Sequence, residues 1–368
     1  MSTDSQSRDV ESRLRRTFGD GDYTGYSAEG DFGACEGTRE SRHANRTDRI
    51  TAAVGQLADL IEETAPDGTS LPALHRAQDH VELAREIARS LIEEKPLPAK
   101  SQVPFVAELM IISDGTRPAT MIRNGSVAEP AALGAFGELY SAFLFDAGSS
   151  IAATGRLELD GRHVGSGVLV AHPQAGVAAI LTARHAAIAL EGGRLNGAVA
   201  HIDFSGEFRG ARANRHVLAS PAALGASEAA EEDWAVLRLS GAADPGAVLP
   251  APAAVDRRRD AFEPPRQLAV VSYPGRPPDL ELLRAQSAAW DRLFRGVWHV
   301  KRLSPARAVG FGDPRDLVLH DATTTRGSSG GAMLSVGTGK VGGIHCGSPA
   351  PGANWGLSIA LIAARGGW

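Results

Sequence analysis

The chain has 368 residues, of which 43% are hydrophobic and 22% charged, and these values are ordinary for a globular protein. Its length allows one large domain and a smaller one. The net charge of −5 gives no electrostatic case for nucleic acid or an anionic membrane as a partner, and no apolar run is long enough to predict a membrane span.

The two cysteines, Cys35 and Cys346, lie far apart in the sequence. We therefore expect neither a disulfide nor a metal site built on cysteine. The first residues, MSTDSQSRDVESRLRRTF, lack the apolar segment of a secretory signal. These features together predict a cytoplasmic protein in a compartment that keeps thiols reduced.

The first 98 residues divide into a polar tail and a helical region. Residues 1–45 are rich in Ser, Asp, Arg and Gly, and this composition predicts disorder. Residues 46–98 carry two amphipathic helical patterns separated by Pro66-Asp67-Gly68. They predict a helical hairpin that serves either as packing only or as a regulatory module that recruits an activator or adaptor protein.

From about residue 99 the pattern changes to short runs typical of β-strands, separated by Gly, Pro, Asn and Asp. Residues 99–148 are interpreted as a lead-in segment that packs on the following domain, residues 149–368. Eight runs predict strands there, and the alanine-rich stretches Ala219–Ala230 and Gly241–Ala254 predict loops. Many short strands with few long helices favour an antiparallel barrel or sandwich. The predicted strands are Ile151–Leu159, Gly167–Ala171, Val177–Thr182, Trp234–Leu239, Leu268–Ser272, Leu317–His320, Val341–His345 and Leu357–Leu361.

The stretch TTTRGSSGGAML, which begins at Thr323, places two serines among three glycines before an apolar run. Glycine and serine make turns, and they also suit a loop that presents a nucleophile beside backbone N–H groups. Serine chemistry needs a base and an acid that orients it. His185 ends the strand-like segment AAILTARH, where a packed or exposed histidine is the alternative. Asp233 opens DWAVLRL, where capping a turn is the alternative.

The order His185, Asp233, Ser329, with separations of 48 and 96 residues, resembles that of the chymotrypsin-like serine peptidases. LTARH, DWAVLRL and GSSGG match that family's histidine, aspartate and nucleophile motifs. Further matches are GSGVLV (Gly165–Val170), VVSYPG (Val270–Gly275), VGGIHCG and the weaker lead-in RPATMIRNGSV (Arg117–Val127). The segment from Ser149 to Trp368 is most similar to bacterial, cysteine-poor members, which include the V8-like glutamyl endopeptidases.

This resemblance implies a mostly β fold of two antiparallel six-stranded barrels with a small helical N-terminal region. It implies a serine endopeptidase that acts on protein or peptide substrates without a metal or cofactor. Ser329 would be the nucleophile, His185 the base and Asp233 its orienting acid, with the N–H groups of Gly327 and Ser329 as the oxyanion hole. In this reading Gly327 tolerates a positive φ, and the glycines after Ser329 avoid clashes.

Ser328 stands where the family usually has an aspartate that receives a new N-terminal ammonium on activation. We therefore expect control by the N-terminal region or by a partner, as in an effector of a bacterial signalling or defence system. A truncated protein starting near Ala131 would test for autoinhibition, which is excluded if truncation does not raise activity.

The resemblance also bears on the residue accepted before the scissile bond, P1. Thr323 replaces the pocket aspartate of Arg/Lys-specific members, and Asp321 lies two positions away. Carried over from glutamyl endopeptidases, Thr324 and His345 would bind an acidic P1 side chain, and Arg326 would add positive charge. The alternative is that His345 is hydrogen-bonded inside the barrel beside a pocket for a small or apolar P1.

Three other functions remain open in the sequence. The fold could be catalytically silent and act as a protein-binding or adaptor module, which intact motifs disfavour. An α/β-hydrolase esterase is disfavoured because its chain order would be Ser, Asp, His. Alternatively, the N-terminal helices carry the main function and the peptidase is their effector.

Overall fold

The structure is a computed structural model that describes most of residues 71–365 and few residues before them. Most of the predicted disordered tail, including Cys35, lies outside the described residues. The described residues are 14–15, 47–48, 50–59, 71–103, 106–107, 110, 119–128, 137–172, 177–207, 213–226, 232–263, 266–276, 290, 293–312, 317–347 and 354–365.

The chain divides into two compact units. The first comprises residues 1–116, 278–296 and 350–352, and the second comprises residues 117–277, 297–349 and 353–368. Of the lead-in predicted for 99–148, described residues occur in both units, and the predicted domain boundaries stay predictions. Among the described residues, no helix is both long and apolar enough to span a membrane.

The first unit is helical and has its own apolar core. Residues 50–59 are helical, and helix α1 spans Leu71–Ile92. The stripes that the sequence places at helical spacing are buried, including Ile50, Leu57, Ile87 and Leu91. Together with other buried apolar residues they form one cluster.

The second unit contains fourteen described strands and three helices. Helices are α2 (Gly137–Ala152), α3 (Arg184–Leu195) and α4 (Ile359–Ala364). Strands are β1 (Thr120–Arg123), β2 (Ser126–Val127), β3 (Thr154–Leu159), β4 (Arg162–His172), β5 (Val177–Thr182), β6 (Ala200–Asp203), β7 (Arg215–Ala226), β8 (Ala235–Ala242), β9 (Gln267–Ser272), β10 (Arg302–Gly312), β11 (Leu317–His320), β12 (Ala332–Ser335), β13 (Val341–Gly347) and β14 (Asn354–Ser358).

These strands confirm the predicted fold of two closed antiparallel barrels. The first barrel has the strand order β3-β4-β5-β8-β7-β6. The second has the order β11-β14-β13-β12-β9-β10 and is closed by pairing of β10 with β11. Strands β1 and β2 extend the second barrel's sheet beyond β10. Closure leaves few edges exposed, and buried apolar residues from consecutive positions of the strands form the cores.

Buried polar side chains also hold the barrels together. Lys301 is fully buried, and its ammonium donates to the carbonyls of Ile151 and Phe204. Burial lowers the pKa of Lys301 to about 8. Ile151 lies in the last turn of α2, Phe204 directly follows β6, and Lys301 directly precedes β10. The Lys301 side chain therefore connects these three elements.

Three predictions of local structure were wrong. The strand predicted for Ile151–Leu159 begins only at Thr154, because Ile151 and Ala152 end helix α2. Part of the loop predicted for Ala219–Ala230 is strand, because β7 extends to Ala226 and pairs with β8 in an irregular register. Its small residues have weak β-propensity, so tertiary pairing decides the conformation. The strand predicted for Leu357–Leu361 ends at Ser358, whose hydroxyl accepts the Leu361 N–H and starts helix α4.

Candidate active site

His185 and Asp233 are brought together by the pairing of β5 with β8. The last residue of β5, Thr182, pairs with the first residue of β8, Ala235, in antiparallel register. Residues that follow β5 and residues that precede β8 therefore share one end of the first barrel. His185 follows Thr182 by three positions and Asp233 precedes Ala235 by two, so both side chains stand at that end.

The Asp233 carboxylate binds two N–H groups of His185. Its Oδ2 lies 2.6 Å from the ring Nδ1, and its Oδ1 accepts the backbone N–H at 2.8 Å. That backbone N–H is in the first turn of α3, where Ala183 offers no side-chain cap. Asp233 thus accepts a helix N–H and lies against the histidine ring at once, and its role as the orienting acid stays a prediction.

This contact fixes which ring nitrogen of His185 carries the proton. A carboxylate only accepts hydrogen bonds, so Nδ1 is the protonated nitrogen, and Nε2 of the neutral ring keeps its lone pair. The Asp233 side chain is only 11% exposed, whereas the His185 side chain is 54% exposed. The Nδ1 side of the ring is therefore held by a mostly buried acid, and more than half of the side chain is accessible to solvent.

Ser329 lies on the loop before β12, close to the same end of the first barrel. A Cβ added to Gly165 would lie 3.2 Å from the Ser329 carbonyl oxygen and 3.1 Å from Cβ of Ala186, the neighbour of His185. The Ser329 hydroxyl donates to the carbonyl of Cys346 at 3.1 Å. Since a hydroxyl has one proton, this proton must rotate toward His185 before the histidine can accept it.

Cys346 links the serine loop to the acid. Its buried Sγ lies 3.5 Å from the backbone carbonyl of Asp233, and its own carbonyl receives the Ser329 hydroxyl. Burial and the nearby Asp233 charge raise the pKa of the Cys346 thiol. The thiol is thus a packed donor and not a nucleophile at neutral pH.

The peptide between Arg326 and Gly327 has a defined direction. Its carbonyl accepts the Gly275 N–H at 2.6 Å. In a trans peptide the N–H points opposite to the carbonyl, so the Gly327 N–H points away from Gly275. Among the described residues, neither the Gly327 N–H nor the Ser329 N–H has a protein acceptor. Both groups are free to bind an oxyanion, as an oxyanion hole requires.

The glycines of the GSSGG stretch are required by space as well as by backbone angles. Gly327 has φ +92° and Gly330 has φ +83°, a region in which side chains are strained. A Cβ at Gly330 would lie 2.1 Å from the Ser166 carbonyl oxygen, and one at Gly331 would lie 2.6 Å from Cβ of Ser272. The predicted tight packing of the glycines after Ser329 is therefore present.

We expect Gly330→Ala to destabilise the second unit by roughly 2–5 kcal/mol, because the left-handed backbone and the overpacked Cβ both cost free energy. Urea unfolding of the full chain measures the change. The control is Gly337→Ala, since a Cβ there meets nothing within 4 Å. Equal unfolding midpoints for the two variants would contradict the crowding at Gly330.

The residues predicted to bind the P1 side chain lie in different surroundings. Thr324 is half-buried and Arg326 is exposed, whereas His345 is only 2% exposed. The nearby Asp321 accepts the backbone N–H of Arg307, so its carboxylate serves β10. Among the described residues, no group of three His, Cys, Asp or Glu side chains is placed to hold a metal ion.

His345 is paired with a second histidine that sequence reasoning missed. His320 Nδ1 accepts the Ala322 N–H at 3.3 Å, so His320 carries its proton on Nε2. That proton points at His345 Nδ1, 3.1 Å away, which leaves the His345 proton on Nε2. Burial lowers the pKa of His320 to about 3 and that of His345 well below its usual value, so both rings are neutral at pH 7.

Residues on distant strands complete the site, and most were not recognised in the sequence. Ser166 and His163 contact Gly327 from β4, and Gly275 orients the peptide before it. The GSGVLV and VVSYPG motifs contain Ser166 and Gly275, so a signal existed for these two. His163 and His320 lie in no motif, and only the folded structure places them.

The fold and the arrangement of His185, Asp233 and Ser329 can be compared with known proteins. Residues 165–344, just under half of the chain, match the family model described as a trypsin-like peptidase domain. Over these residues the chain is similar to that family. The matched residues include all three of these side chains, and the second unit has the chymotrypsin-like fold of two barrels. A comparison with curated proteins returns no match.

Solved structures similar to the chain include several proteases. An inactive-form serine-to-alanine mutant of Rv3671c from M. tuberculosis H37Rv is 13% identical, with a TM-score of 0.37 over 60% of this chain and 88% of the other. Deg5 is 14% identical, with a TM-score of 0.42 over 62% and 91%. A serine endoprotease from Yersinia pestis is 17% identical, with a TM-score of 0.38 over 60% and 64%. Similarity at this level carries no information on activity.

Proposed function

We propose that the protein is a serine endopeptidase that hydrolyses peptide bonds in protein or peptide substrates. The observation that carries this proposal is the Asp233 carboxylate bound to both N–H groups of His185. An acid in this position keeps the Nε2 lone pair of His185 available to take a proton. Ser329 lies at the same end of the barrel, and the N–H groups of Gly327 and Ser329 have no acceptor in the part of the chain that the structure describes, as acyl transfer requires.

The proposed mechanism begins with rotation of the Ser329 hydroxyl from the Cys346 carbonyl toward His185 Nε2. Ser329 Oγ attacks the scissile carbonyl carbon while its proton moves to His185. The N–H groups of Gly327 and Ser329 stabilise the oxyanion. The tetrahedral intermediate expels the amine, which takes the proton from His185. Water then hydrolyses the acyl-enzyme by the same proton transfers in reverse.

We further propose that the enzyme prefers an acidic P1 residue. A P1 carboxylate entering beside Thr324 would meet a hydroxyl donor, and the exposed Arg326 adds a cation to the same loop. His345 directs its Nε2–H at the Trp355 backbone, so it would reach a P1 carboxylate only if the whole ring turned away from Trp355 and His320. Its pairing with His320 favours the alternative, a pocket for a small or apolar P1, so P1 preference needs its own test.

Regulation by the N-terminal region, within a bacterial signalling or defence pathway in the cytoplasm, is part of the same proposal. Ser328, the residue before the proposed nucleophile, is fully buried, and its hydroxyl accepts the Thr325 N–H at 3.4 Å. Because a serine has no carboxylate, it cannot form an ion pair with a new N-terminus. A truncation that tests this control should begin upstream of Thr120 instead of near Ala131, because β1 pairs with β10 in the second barrel.

A peptide-library digest with the intact protein tests activity and specificity together, with Ser329→Ala as the blank. We expect cleavage after Glu or Asp that the blank lacks. Cleavage only after Leu, Ala or Arg would overturn the acidic preference and leave the endopeptidase proposal standing. A library left intact by the full chain and by the chain beginning before Thr120 would support a catalytically silent binding module instead.

A further inference from the structure

We infer that Ser166, assisted by His163, is the positioning residue that holds the oxyanion-hole glycine, Gly327, in its reactive conformation. Neither residue belongs to the proposed set of reacting groups, and both lie on β4 of the first barrel. The inference rests on the proposed function, since a support for an oxyanion hole matters only in an enzyme that forms an oxyanion.

Every polar group of Ser166 is bonded to another part of the site. Its hydroxyl donates to the Gly327 carbonyl at 2.8 Å and accepts the Tyr273 N–H at 3.0 Å. Its backbone N–H donates to the Ser329 carbonyl at 2.8 Å, and its carbonyl accepts the Thr182 hydroxyl at 2.7 Å. Ser166 is fully buried, so water does not compete for these bonds.

The hydroxyl of Ser166 fixes one of the two peptides that flank Gly327. The Gly327 carbonyl is held by Ser166, and the Arg326 carbonyl before it is held by the Gly275 N–H. Glycine rotates more freely than any other residue, so an unsupported Gly327 would let its N–H turn away from the oxyanion. Because both carbonyls are held, the Gly327 N–H can point in only one direction. Donors fixed in this way stabilise the oxyanion and lower the activation free energy of the reaction.

His163 fills the space behind Gly327. A Cβ added to Gly327 would lie 2.3 Å from Cε1 of His163, so the ring packs against the glycine. His163 Nε2 donates to the Gly165 carbonyl at 3.1 Å, and its Nδ1 therefore accepts from His299 Nδ1 at 2.8 Å. Burial, His299 and Arg156 lower the pKa of His163 to about 3, and the ring stays neutral.

The histidine pair is anchored in turn. The backbone N–H of His299 donates to the Pro274 carbonyl, and the backbone carbonyl of His299 accepts from the Arg156 guanidinium at 2.7 Å. Arg156 is itself paired with the buried Glu158 and lies 3.5 Å from Asp203. Among the described residues, Arg156 is the charged side chain that acts on both rings, and it ties the pair to the first barrel.

The test is steady-state kinetics of Ser166→Ala on the preferred peptide, together with inhibition by a peptide aldehyde of the same sequence. The aldehyde forms a tetrahedral adduct whose oxygen occupies the oxyanion hole, whereas KM mostly reports substrate binding. We expect kcat to fall by about 10- to 100-fold with KM within threefold, and aldehyde affinity to fall in parallel with kcat. Ser166→Thr, which retains a hydroxyl, should recover most of the loss.

Three further variants keep the result interpretable. Ser240→Ala removes an exposed hydroxyl that donates to the Val217 carbonyl of the same barrel, and it should leave kcat unchanged. His163→Gln retains one donor and one acceptor and should lower kcat less than His163→Ala does. If Ser166→Ala does not fold, this pair of His163 variants carries the test, and equal kcat in both would overturn the inference.

The outcomes separate the inference from the proposed function. Wild-type protein that cleaves the peptide, with Ser166→Ala equal to it in kcat and aldehyde affinity, overturns the positioning role alone. A uniform loss of substrate and aldehyde binding with unchanged kcat also overturns it, since it indicates a damaged pocket. Failure of both the full chain and the chain beginning before Thr120 to cleave the peptide or bind the aldehyde refutes the proposed function, and the positioning role falls with it.

Discussion

Asp233→Asn is expected to lower kcat by about 10⁴-fold while leaving the fold intact, by analogy with the same change in other Ser-His-Asp triads. The amide oxygen of the substituted side chain can still accept the His185 backbone N–H that Asp233 Oδ1 accepts now. The amide NH2 then faces His185 Nδ1 and donates to it. The histidine proton moves to Nε2, and the ring can no longer take the proton of Ser329.

Steady-state hydrolysis of the library-derived peptide at pH 7.5 measures this loss, and the thermal unfolding midpoint checks the fold. Asp244→Asn is the matched control, because Asp244 is a carboxylate of the same barrel that pairs with Arg215. It should keep kcat within a few-fold of the wild type. An Asp233→Asn enzyme within tenfold of the wild type would show that this acid does not orient the base.

Ser329→Ala is expected to lower kcat by about 10⁴-fold or more, since the nucleophile is lost while the oxyanion hole and substrate binding remain, as in measured triads (about 10⁶ in one of them). Stability should change little. The half-buried hydroxyl makes one hydrogen bond, to the Cys346 carbonyl, and such a bond contributes about 1 kcal/mol.

The neighbouring serine supplies the control for this prediction. Ser328→Ala removes a buried hydroxyl whose described partner is the Thr325 N–H at 3.4 Å, and we expect kcat within tenfold of the wild type. Rates of peptide hydrolysis for the two variants, measured side by side, identify the nucleophile. If Ser328→Ala were inactive and Ser329→Ala active, Ser328 and not Ser329 would be the nucleophile.

The sequence was sufficient for the fold and for the His185 and Asp233 pairing. Alternation along the strands and frequent turn residues predict antiparallel barrels. The histidine and aspartate motifs border strands that turn out to be neighbours, β5 and β8, so their meeting follows from topology. Helix α2 was missed because Gly148, Ser149 and Ser150 lie in its last turns and lower its helical propensity.

The supports of the site could not be predicted because they join residues far apart in sequence. The Ser166 hydroxyl reaches Gly327 across 161 residues, and His163 reaches His299 across 136. Neither pair is marked in the sequence by hydrophobic periodicity or by opposite charges. Contacts of this kind depend on how the two barrels approach each other inside the second unit, and they are read only from its structure.

Labelling with a fluorophosphonate probe tests the central claim, an activated Ser329, most directly. The probe reacts with a serine only when a base removes its proton, and peptide mapping locates the adduct. The account predicts one adduct on Ser329 in the wild-type full chain, none in Ser329→Ala and much slower labelling in Asp233→Asn. Folded wild-type protein without an adduct on Ser329, or with labelling unchanged by Asp233→Asn, would contradict it.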